Sequence, residues 1–320
     1  MMHFVGVDLG ASNVRAAVGD RTGEIRATAR ARTPAGPTGA AVTDAVREVV
    51  TAACSSADVD STDVAGAGVA SMGRLDLAAG AVASAPNVDA DVGPIRLVGP
   101  LASLLDLDRD AVTLRSDTQA GAVGERFHAH PDVEDLVYLT ISSGIGAGVI
   151  ADGEPLTGRD ANAGEVGHIT IAPEGGMTCG CGREGHWEAY CSGNNVPRFA
   201  RALHERDPVD TAVPLADEGF DAADVYAHAG TDAFADRVLE RVTALNVRGA
   251  AAVVHAYAPR VLVVGGAVAT NNPETVVEPI RRRLPGELVV DAPEVTLAEL
   301  GDDAALAGAL VLAIPDADRP

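Results

Sequence analysis

The chain has 320 residues, of which 47% are hydrophobic and 22% are charged, and its formal net charge is −22 at pH 7. This length predicts two lobes, and no apolar run approaches the roughly 18 residues that a membrane span needs. So acidic a surface argues against nucleic acid as a partner, because binding it depends on cationic side chains. The first residues enter a strand-like pattern without a signal segment, so a cytoplasmic location without membrane contact is expected.

Arginine supplies all 24 basic side chains, and the chain contains no lysine. An acidic, lysine-free composition is typical of cytoplasmic proteins of extreme halophiles, in which high salt screens self-repulsion. A GC-rich genome would also favour alanine, arginine, glycine and valine, so this second explanation stays open. The charge balance favours the halophilic interpretation.

The first half of the chain alternates strands with helices. Residues 3–23, HFVGVDLGASNVRAAVGDRTG, read as a strand, a glycine turn and a second strand, and residues 135–154, DLVYLTISSGIGAGVIADGE, repeat that design. Between them the pattern predicts a helix over 39–54, a buried strand over 64–70, a Pro/Gly-rich loop near 85–100 and a strand leading into a helix over 112–127. The repeat indicates a weak internal duplication.

The second half continues the alternation. Residues 205–224 are the most loop-like segment, and a long helix is predicted from about Asp232 to Tyr257. A strand and turn over 260–274, a further helix and a terminal helix over 302–314 complete the chain. Strands that alternate with helices predict α/β layers rather than a β-sandwich.

Three glycine turns are candidate phosphate sites, because their small residues leave backbone N–H groups open to an anion. The spacing does not fit a Rossmann fingerprint, and the chain has no GxxxxGK[ST] loop. One such turn alone is more often a plain β-hairpin, but the three in this order favour a nucleotide site. The candidates are Asp8, Gly10, Ser12 and Asn13 in the first turn, Ser142, Ser143, Gly144 and Gly146 in the second, and Gly265 and Gly266 in the third.

Three of the four cysteines lie in the segment TCGCGREGHWEAYCSG, residues 178–193. A CxC spacing would form a strained disulfide ring, and the CxxC of thioredoxin-like redox sites is absent. Cys54 lies in an apolar run and is expected to be a core residue. A metal site is therefore the favoured explanation, with two buried, metal-free cysteines as the alternative.

This segment and the residues before it, NAGEVGHITIAPEGGMTCGCGREGHWEAY, resemble the signature of the ROK family of repressors and kinases, in which ExGH precedes CxCGxxGCxE. Glu165 and Glu188 fill the two glutamate positions, and His186 stands where the third cysteine is expected. The resemblance implies a structural zinc, and tetrahedral zinc accepts Cys₂His₂ as readily as Cys₃His. The implied ligands are His168, Cys179, Cys181 and His186, with Cys191 as a rival to His186.

The resemblance also implies a sugar site. The aspartate of the family's NDAN-like motif is the catalytic base, and LRSDTQAGAVGE places it at Asp117, with Ser116 and Gln119 replacing the two asparagines. A helix N-cap is an equally ordinary role for Asp117. Asp8 is the candidate for Mg²⁺ coordination through water. The implied sugar contacts are Asn87, Ser116, Asp117, Glu165, His168 and Glu188.

As a whole, the resemblance implies an α/β chain with the actin-like ATPase (ribonuclease H-like) fold, in which nucleotide and sugar lie in a cleft between two lobes. We place the small lobe at residues 1–115, completed by 303–320, and the larger lobe, with the zinc knuckle, at 116–302. The implied activity is ATP- and Mg²⁺-dependent phosphorylation of the 6-hydroxyl of a hexose, with glucose expected. Fructose, mannose or an N-acetylhexosamine is the alternative substrate. A sugar-responsive transcriptional regulator is a remote alternative function. A homodimer or homotetramer is also implied.

Overall fold

The computed structural model describes residues 2–36, 38–85, 93–172 and 176–315. The strands are β1 (His3–Leu9), β2 (Asn13–Gly19), β3 (Ile25–Arg32), β4 (Val64–Ser71), β5 (Arg74–Asp76), β6 (Ala81–Ser84), β7 (Ile95–Arg96), β8 (Val112–Ser116), β9 (Leu136–Ile141), β10 (Ile145–Ala151), β11 (Glu154–Pro155), β12 (Val261–Gly265) and β13 (Glu294–Leu297). The α-helices are α1 (Gly39–Ser56), α2 (Val98–Leu105), α3 (Asp117–His128), α4 (Glu188–Cys191), α5 (Val196–Arg206), α6 (Ala222–Ala227), α7 (Ala233–Tyr257), α8 (Ala267–Asn271), α9 (Pro273–Arg283) and α10 (Ala304–Leu312).

Two compact units make up the chain, and each has its own hydrophobic core. Unit 1 comprises Met1–Asp132, Glu154–Ala163 and Asp302–Pro320, and unit 2 comprises Val133–Gly153 and Gly164–Gly301. The predicted boundary between the two lobes lies after residue 115, whereas the first segment of unit 1 extends to Asp132 and so includes α3.

The sheet of unit 1 has the strand order β3-β2-β1-β4-β8. Strands β1 and β2 form an antiparallel hairpin, while β4 and β8 continue the sheet in parallel. Val5 and Val7 belong to the same buried cluster as Val46 on α1, whereas Gly6, which points to the opposite face, lies against Leu310 of α10. Helices therefore cover both faces of β1, as its run of buried residues predicts.

Unit 2 repeats this plan. Strand β9 pairs antiparallel with β10 and parallel with β12, and β12 pairs parallel with β13, in the order β10-β9-β12-β13. Each unit therefore contains a hairpin whose first strand continues into parallel neighbours, in agreement with the predicted duplication. The turns after β1 and β9 occupy matching positions in the two sheets.

Close packing of two helices explains why α3 belongs to unit 1. A Cβ atom built on Gly308 of α10 would lie 1.7 Å from the carbonyl oxygen of Ala120 in α3, and one on Gly124 would lie 2.6 Å from the Ala304 carbonyl. The backbones of α3 and α10 can approach this closely only because both crossing positions lack a side chain. The terminal segment thus holds α3 against the rest of unit 1.

The predicted elements agree with the structure where the apolar periodicity is strong. The helix predicted over 39–54 is α1, and the long helix predicted from Asp232 is α7, with Asp232 as its N-cap. Strand β3 was missed because its exposed IRATARAR pattern carries little hydrophobic signal. The loop predicted near 85–100 contains β7 and the start of α2, and residues 86–92 of it lie outside the described part.

No helix in the described ranges is both long enough and apolar enough to cross a bilayer. The 25-residue helix α7 has the length, but it carries Asp236, Arg237 and Glu240 in its first third.

Candidate functional site

The first glycine turn connects β1 to β2 and is held by Thr33, the residue that follows β3. Gly10 donates its N–H to the Asn13 carbonyl at 3.0 Å, and the Thr33 hydroxyl donates to the Gly10 carbonyl at 2.7 Å. Thr33 also donates its backbone N–H to the Ser12 carbonyl at 3.0 Å. Gly10, Ser12 and Asn13 therefore form one short, tethered turn directly after Asp8.

Asp8 forms an ion pair across this hairpin. Its Oδ2 accepts from Arg15 Nε at 3.0 Å and from Arg15 Nη2 at 2.8 Å, and Arg15 Nη1 also donates to Asp303 Oδ1 at 2.7 Å. Burial raises the pKa of Asp8, and the Arg15 guanidinium lowers it in part. Arg15 is not among the predicted site residues, although it lies directly opposite Asp8 in the hairpin register, a spacing that indicates a cross-strand Asp–Arg pair.

The second glycine turn connects β9 to β10. Ser142 donates its N–H to the Gly144 carbonyl at 2.9 Å, and Gly146 lies in β10 opposite Thr140. Ile145, which begins β10, donates its N–H to Glu188 Oε2 at 3.0 Å. Glu188, a candidate sugar contact, therefore touches the end of the second glycine turn, a contact that the sequence did not reveal.

The third turn follows β12, and it requires glycine at Gly266. Gly266 has φ 86°, and a Cβ there would lie 2.5 Å from Thr140 Oγ1. Because β9 and β12 are parallel neighbours, the turns that follow them lie at the same edge of the sheet. The structure thus brings Ser142, Ser143 and Gly144 together with Gly265 and Gly266, at the strand ends where α/β sheets bind ligands.

Asp117 is the first residue of α3, directly after β8. Its Oδ1 accepts from the Thr118 backbone N–H at 2.8 Å. The N-cap is Ser116 instead, whose Oγ accepts from the Gln119 N–H at 3.2 Å. The N-cap alternative for Asp117 is therefore wrong, and Ser116, a predicted sugar contact, has a structural use for its hydroxyl group.

Gln119 is buried to 1% exposure beneath this helix start. Its Nε2 lies 3.3 Å from the Ala161 carbonyl oxygen and 3.4 to 3.5 Å from those of Leu156, Thr157 and Ala163. An amide donor surrounded by acceptors fixes the orientation of the group. Gln119 therefore ties the segment 154–163 to the helix that begins with Asp117, which the sequence did not reveal.

Four potential metal ligands lie together in unit 2. The donor atoms of His168, Cys179, Cys181 and His186 all fall within 4.8 Å of one another. His168 Nδ1 lies 3.7 Å from Cys179 Sγ, and His186 Nδ1 lies 3.3 Å from Cys181 Sγ. Tetrahedral zinc with Zn–S near 2.3 Å and Zn–N near 2.0 Å needs ligand separations of about 3.3 to 3.8 Å. The donor set therefore fits zinc, with Nδ1 of each histidine directed inwards.

Cys191, the rival fourth ligand, is absent from this group. It is fully buried and its thiol donates to the Val242 carbonyl at 3.5 Å, while burial raises its pKa. Burial likewise raises the pKa of the Cys179 thiol and lowers that of His186. A metal ion would therefore have to displace the proton of the Cys179 thiol, and binding would weaken as the pH falls.

The predicted sugar contacts of unit 2 border this cluster. Glu165 Oε2 lies 3.7 Å from His168 Nε2, on the side of the ring away from Cys179, and Glu188 Oε1 lies 3.9 Å from Cys179 Sγ. Asp117 and Ser116 belong to unit 1, and Asn87 lies outside the described residues. That these groups meet around one sugar stays a prediction.

The chain is similar to known proteins over almost its whole length. The model of the ROK family matches residues 4–315. A glucokinase from Pyrobaculum calidifontis is 33% identical, over 98% of this chain and 95% of its own, and an N-acetylmannosamine kinase from Citrobacter koseri is 31% identical, over 98% of this chain and 100% of its own.

The crystal structure of a ROK family glucokinase from Streptomyces griseus, in complex with glucose and AMPPNP, superposes with a TM-score of 0.78 at 30% identity. The superposition covers 97% of this chain and 98% of the other. This likeness confirms the predicted α/β actin-like ATPase fold.

Proposed function

This chain belongs to the ROK family, and from that premise we propose that it is an ATP-dependent hexokinase that phosphorylates the 6-hydroxyl of glucose. The observation that carries the proposal is its similarity, over nearly its full length, to glucokinases, one of which has a solved structure with glucose and AMPPNP. The same similarity extends to an N-acetylmannosamine kinase, which makes an N-acetylhexosamine the alternative substrate.

Asp117 would accept the proton of the sugar 6-hydroxyl as that oxygen attacks the γ-phosphoryl group. Its position at the start of α3, with one oxygen fixed by the Thr118 N–H, leaves the carboxylate at a defined place. Glu165, His168 and Glu188 would hold other hydroxyl groups of the sugar, together with Asn87. Fixed contacts of this kind orient the 6-hydroxyl group, and such positioning is a large part of what a kinase contributes to catalysis.

The glycine turns would hold the ATP phosphates through their backbone N–H groups. Bound Mg²⁺ would neutralise part of the phosphate charge. Asp8 would contact a metal-bound water, and its hydrogen bonds from Arg15 favour the ionised carboxylate that this role needs.

Zinc at the four-ligand cluster would be structural, because a closed set of protein ligands leaves no open position for chemistry. It would cross-link residues far apart along a loop, and thereby fix Glu165 and Glu188 on either side.

A substrate screen tests the activity. The purified protein is assayed for ADP release with glucose, fructose, mannose, N-acetylglucosamine and N-acetylmannosamine, each with ATP and Mg²⁺, at both low and multimolar KCl. We expect the highest kcat/KM with glucose. A preference for N-acetylmannosamine would transfer the proposal to the alternative substrate. If none of the hexoses raised ADP release above background, the proposal would be refuted.

Metal analysis tests the cluster with a matched pair of variants. We expect about one zinc per wild-type chain, loss of that zinc in His186→Ala, and full zinc content in Cys191→Ala, since Cys191 faces the core rather than the cluster. Zinc retained in His186→Ala and lost in Cys191→Ala would assign the fourth ligand to Cys191. Active wild-type protein without zinc would refute the site.

A further inference from the structure

Glu188 contacts two features of unit 2 that have separate proposed roles. Its Oε2 accepts from the backbone N–H of Ile145, which ends the second glycine turn, at 3.0 Å. Its other oxygen, Oε1, lies 3.9 Å from the thiol of the metal-ligand candidate Cys179. One carboxylate therefore connects the ligand cluster to the turn between β9 and β10.

The other end of the same short helix holds the other side of that turn. Glu188 begins α4, and just beyond its end Gly193 donates its N–H to the Ser142 carbonyl at 2.7 Å. Asn194 donates to the Ser143 carbonyl at 3.4 Å. The turn from Ser142 to Ile145 is thus fixed at both ends by residues that flank or begin α4.

The position of α4 is in turn fixed by its neighbours. Trp187, immediately before Glu188, is fully buried, donates its Nε1–H to Asn246 Oδ1 at 2.8 Å and donates its backbone N–H to the Ile169 carbonyl at 3.0 Å. Ile169 directly follows the ligand candidate His168. The start of α4 therefore has little freedom while the cluster is in place.

We propose that Glu188 is a positioning residue for nucleotide binding: it transmits the rigidity of the metal cluster to the second glycine turn and so sets the shape in which that turn receives phosphate. The proposal rests on the proposed function, in which this turn holds ATP phosphates, and it gives Glu188 a role beyond contact with the sugar. The cluster would then control the affinity for ATP as well as that for the hexose.

Gly144 faces the Glu188 carboxylate, and only a residue without a side chain leaves room for it there. A Cβ atom on Gly144 would lie 2.8 Å from Glu188 Oε2, closer than side chains pack. An alanine there would push the carboxylate away from the Ile145 N–H. Gly144 is therefore needed for the carboxylate contact, and this makes the contact testable from both sides.

The test measures ATP binding in the absence of sugar, by titration calorimetry with AMPPNP and Mg²⁺. We expect Glu188→Ala to weaken binding at least about fivefold, because the turn loses a hydrogen bond to a charged acceptor. Gly144→Ala should weaken it similarly. In the double variant the loss should equal that of Glu188→Ala alone, since no carboxylate remains to clash.

Two more variants complete the set. Glu188→Gln keeps an acceptor oxygen for the Ile145 N–H and should bind AMPPNP within about twofold of wild type. Glu184→Ala removes an exposed carboxylate from the same loop and should bind as wild type does. Zinc removal should weaken AMPPNP binding by the wild type and have less effect on Glu188→Ala. The fluorescence of Trp187, the single tryptophan, reports whether α4 keeps its packing.

The outcomes separate this inference from the proposed function. Unchanged AMPPNP affinity in Glu188→Ala, with a raised KM for glucose alone, would overturn the inference and leave Glu188 as a sugar contact. Strictly additive losses in the double variant would also overturn it. A wild-type protein that neither binds AMPPNP nor phosphorylates any hexose would instead refute the proposed function.

Discussion

Individual side chains at the candidate site serve the fold and the proposed chemistry together. Ser116 caps α3 with its hydroxyl, and Asp117 begins the same helix with one carboxylate oxygen bonded to the Thr118 N–H. The sequence motif alone indicated a catalytic base, Asp117, near two residues, Ser116 and Gln119, that replace the asparagines of the family's motif. The structure shows that the altered residues Ser116 and Gln119 both hold the start of the helix in place.

Replacement of the proposed base should separate turnover from binding. In Asp117→Asn the amide oxygen can still accept from the Thr118 N–H, so the helix start should persist, while proton acceptance is lost. We expect kcat to fall by about 10² to 10⁴, with the affinity for the hexose largely kept. Steady-state kinetics and glucose titration check this, with the exposed Asp110→Asn as control. Near-normal turnover would remove Asp117 from the role.

Arg15 should stabilise the protein more at neutral pH than at acid pH. Burial raises the folded-state pKa of Asp8, so ionisation of Asp8 costs stability as the pH rises, and Arg15 offsets that cost. Arg15→Gln should therefore lower the free energy of unfolding by about 1 to 3 kcal/mol at pH 7 and by less at acid pH, such as pH 4, because burial favours the neutral form of the carboxyl group and less of its charge then needs the arginine. Denaturant unfolding at both values measures this.

The control for that experiment is Arg47→Gln. Arg47 lies 3.9 Å from Asp44 on the exposed face of α1, and such surface pairs contribute little. An equal loss in Arg15→Gln at both pH values would show that the Asp8 charge does not govern the effect.

At the scale of elements, the crossing of α3 and α10 joins distant parts of the sequence. The carbonyl of Ala120 lies where a side chain on Gly308 would be, so the two helix backbones are in direct contact. Since α3 begins with Asp117, this crossing fixes the helix that carries the proposed base. It also explains why the compact unit extends beyond the predicted boundary.

An alanine at Gly308 should test the crossing. Helix propensity alone would favour Gly308→Ala by about 1 kcal/mol, but the clash with the Ala120 backbone should outweigh this and cost about 1 to 3 kcal/mol net. Thermal unfolding would show a lower Tm. Gly286→Ala, where nothing lies within 4 Å of the added atom, should change the Tm little. A Tm unchanged or raised in Gly308→Ala would mean that the helices lie farther apart.

At the scale of the whole molecule, charge is the dominant feature. A net charge of −22 over 320 residues, with cations supplied by arginine alone, implies strong self-repulsion at low ionic strength. Screening lengths fall from about 10 Å at 0.1 M salt to about 3 Å at 1 M, which removes most repulsion between surface carboxylates.

Salt should therefore stabilise the folded chain. We expect the Tm to rise by several degrees between 0.1 and 1 M KCl, which thermal unfolding monitored by circular dichroism would show. Sucrose at matched osmolality is the control for effects other than screening. A Tm that does not depend on KCl would favour the GC-rich genome as the origin of the composition.

The class of fold and the candidate site residues could be predicted from local patterns in the chain. Apolar periodicity over α1 and α7 gave their positions, because buried faces must recur at the helical period. The glycine turns and the His/Cys pattern identified candidate ligands, because few residue types can approach a phosphate or bind zinc. The family resemblance, which rests on these motifs, gave the actin-like architecture.

Which of these residues touch one another depends on how the chain packs in three dimensions. The sequence favoured His186 as the fourth ligand and left Cys191 as its rival, and folding directs Cys191 to Val242 and His186 to the cluster. The contact of Glu188 with Ile145 and that of Gln119 with the segment 154–163 join residues about 40 positions apart. Such pairings depend on how helices and strands pack, and no local pattern of side chains encodes them.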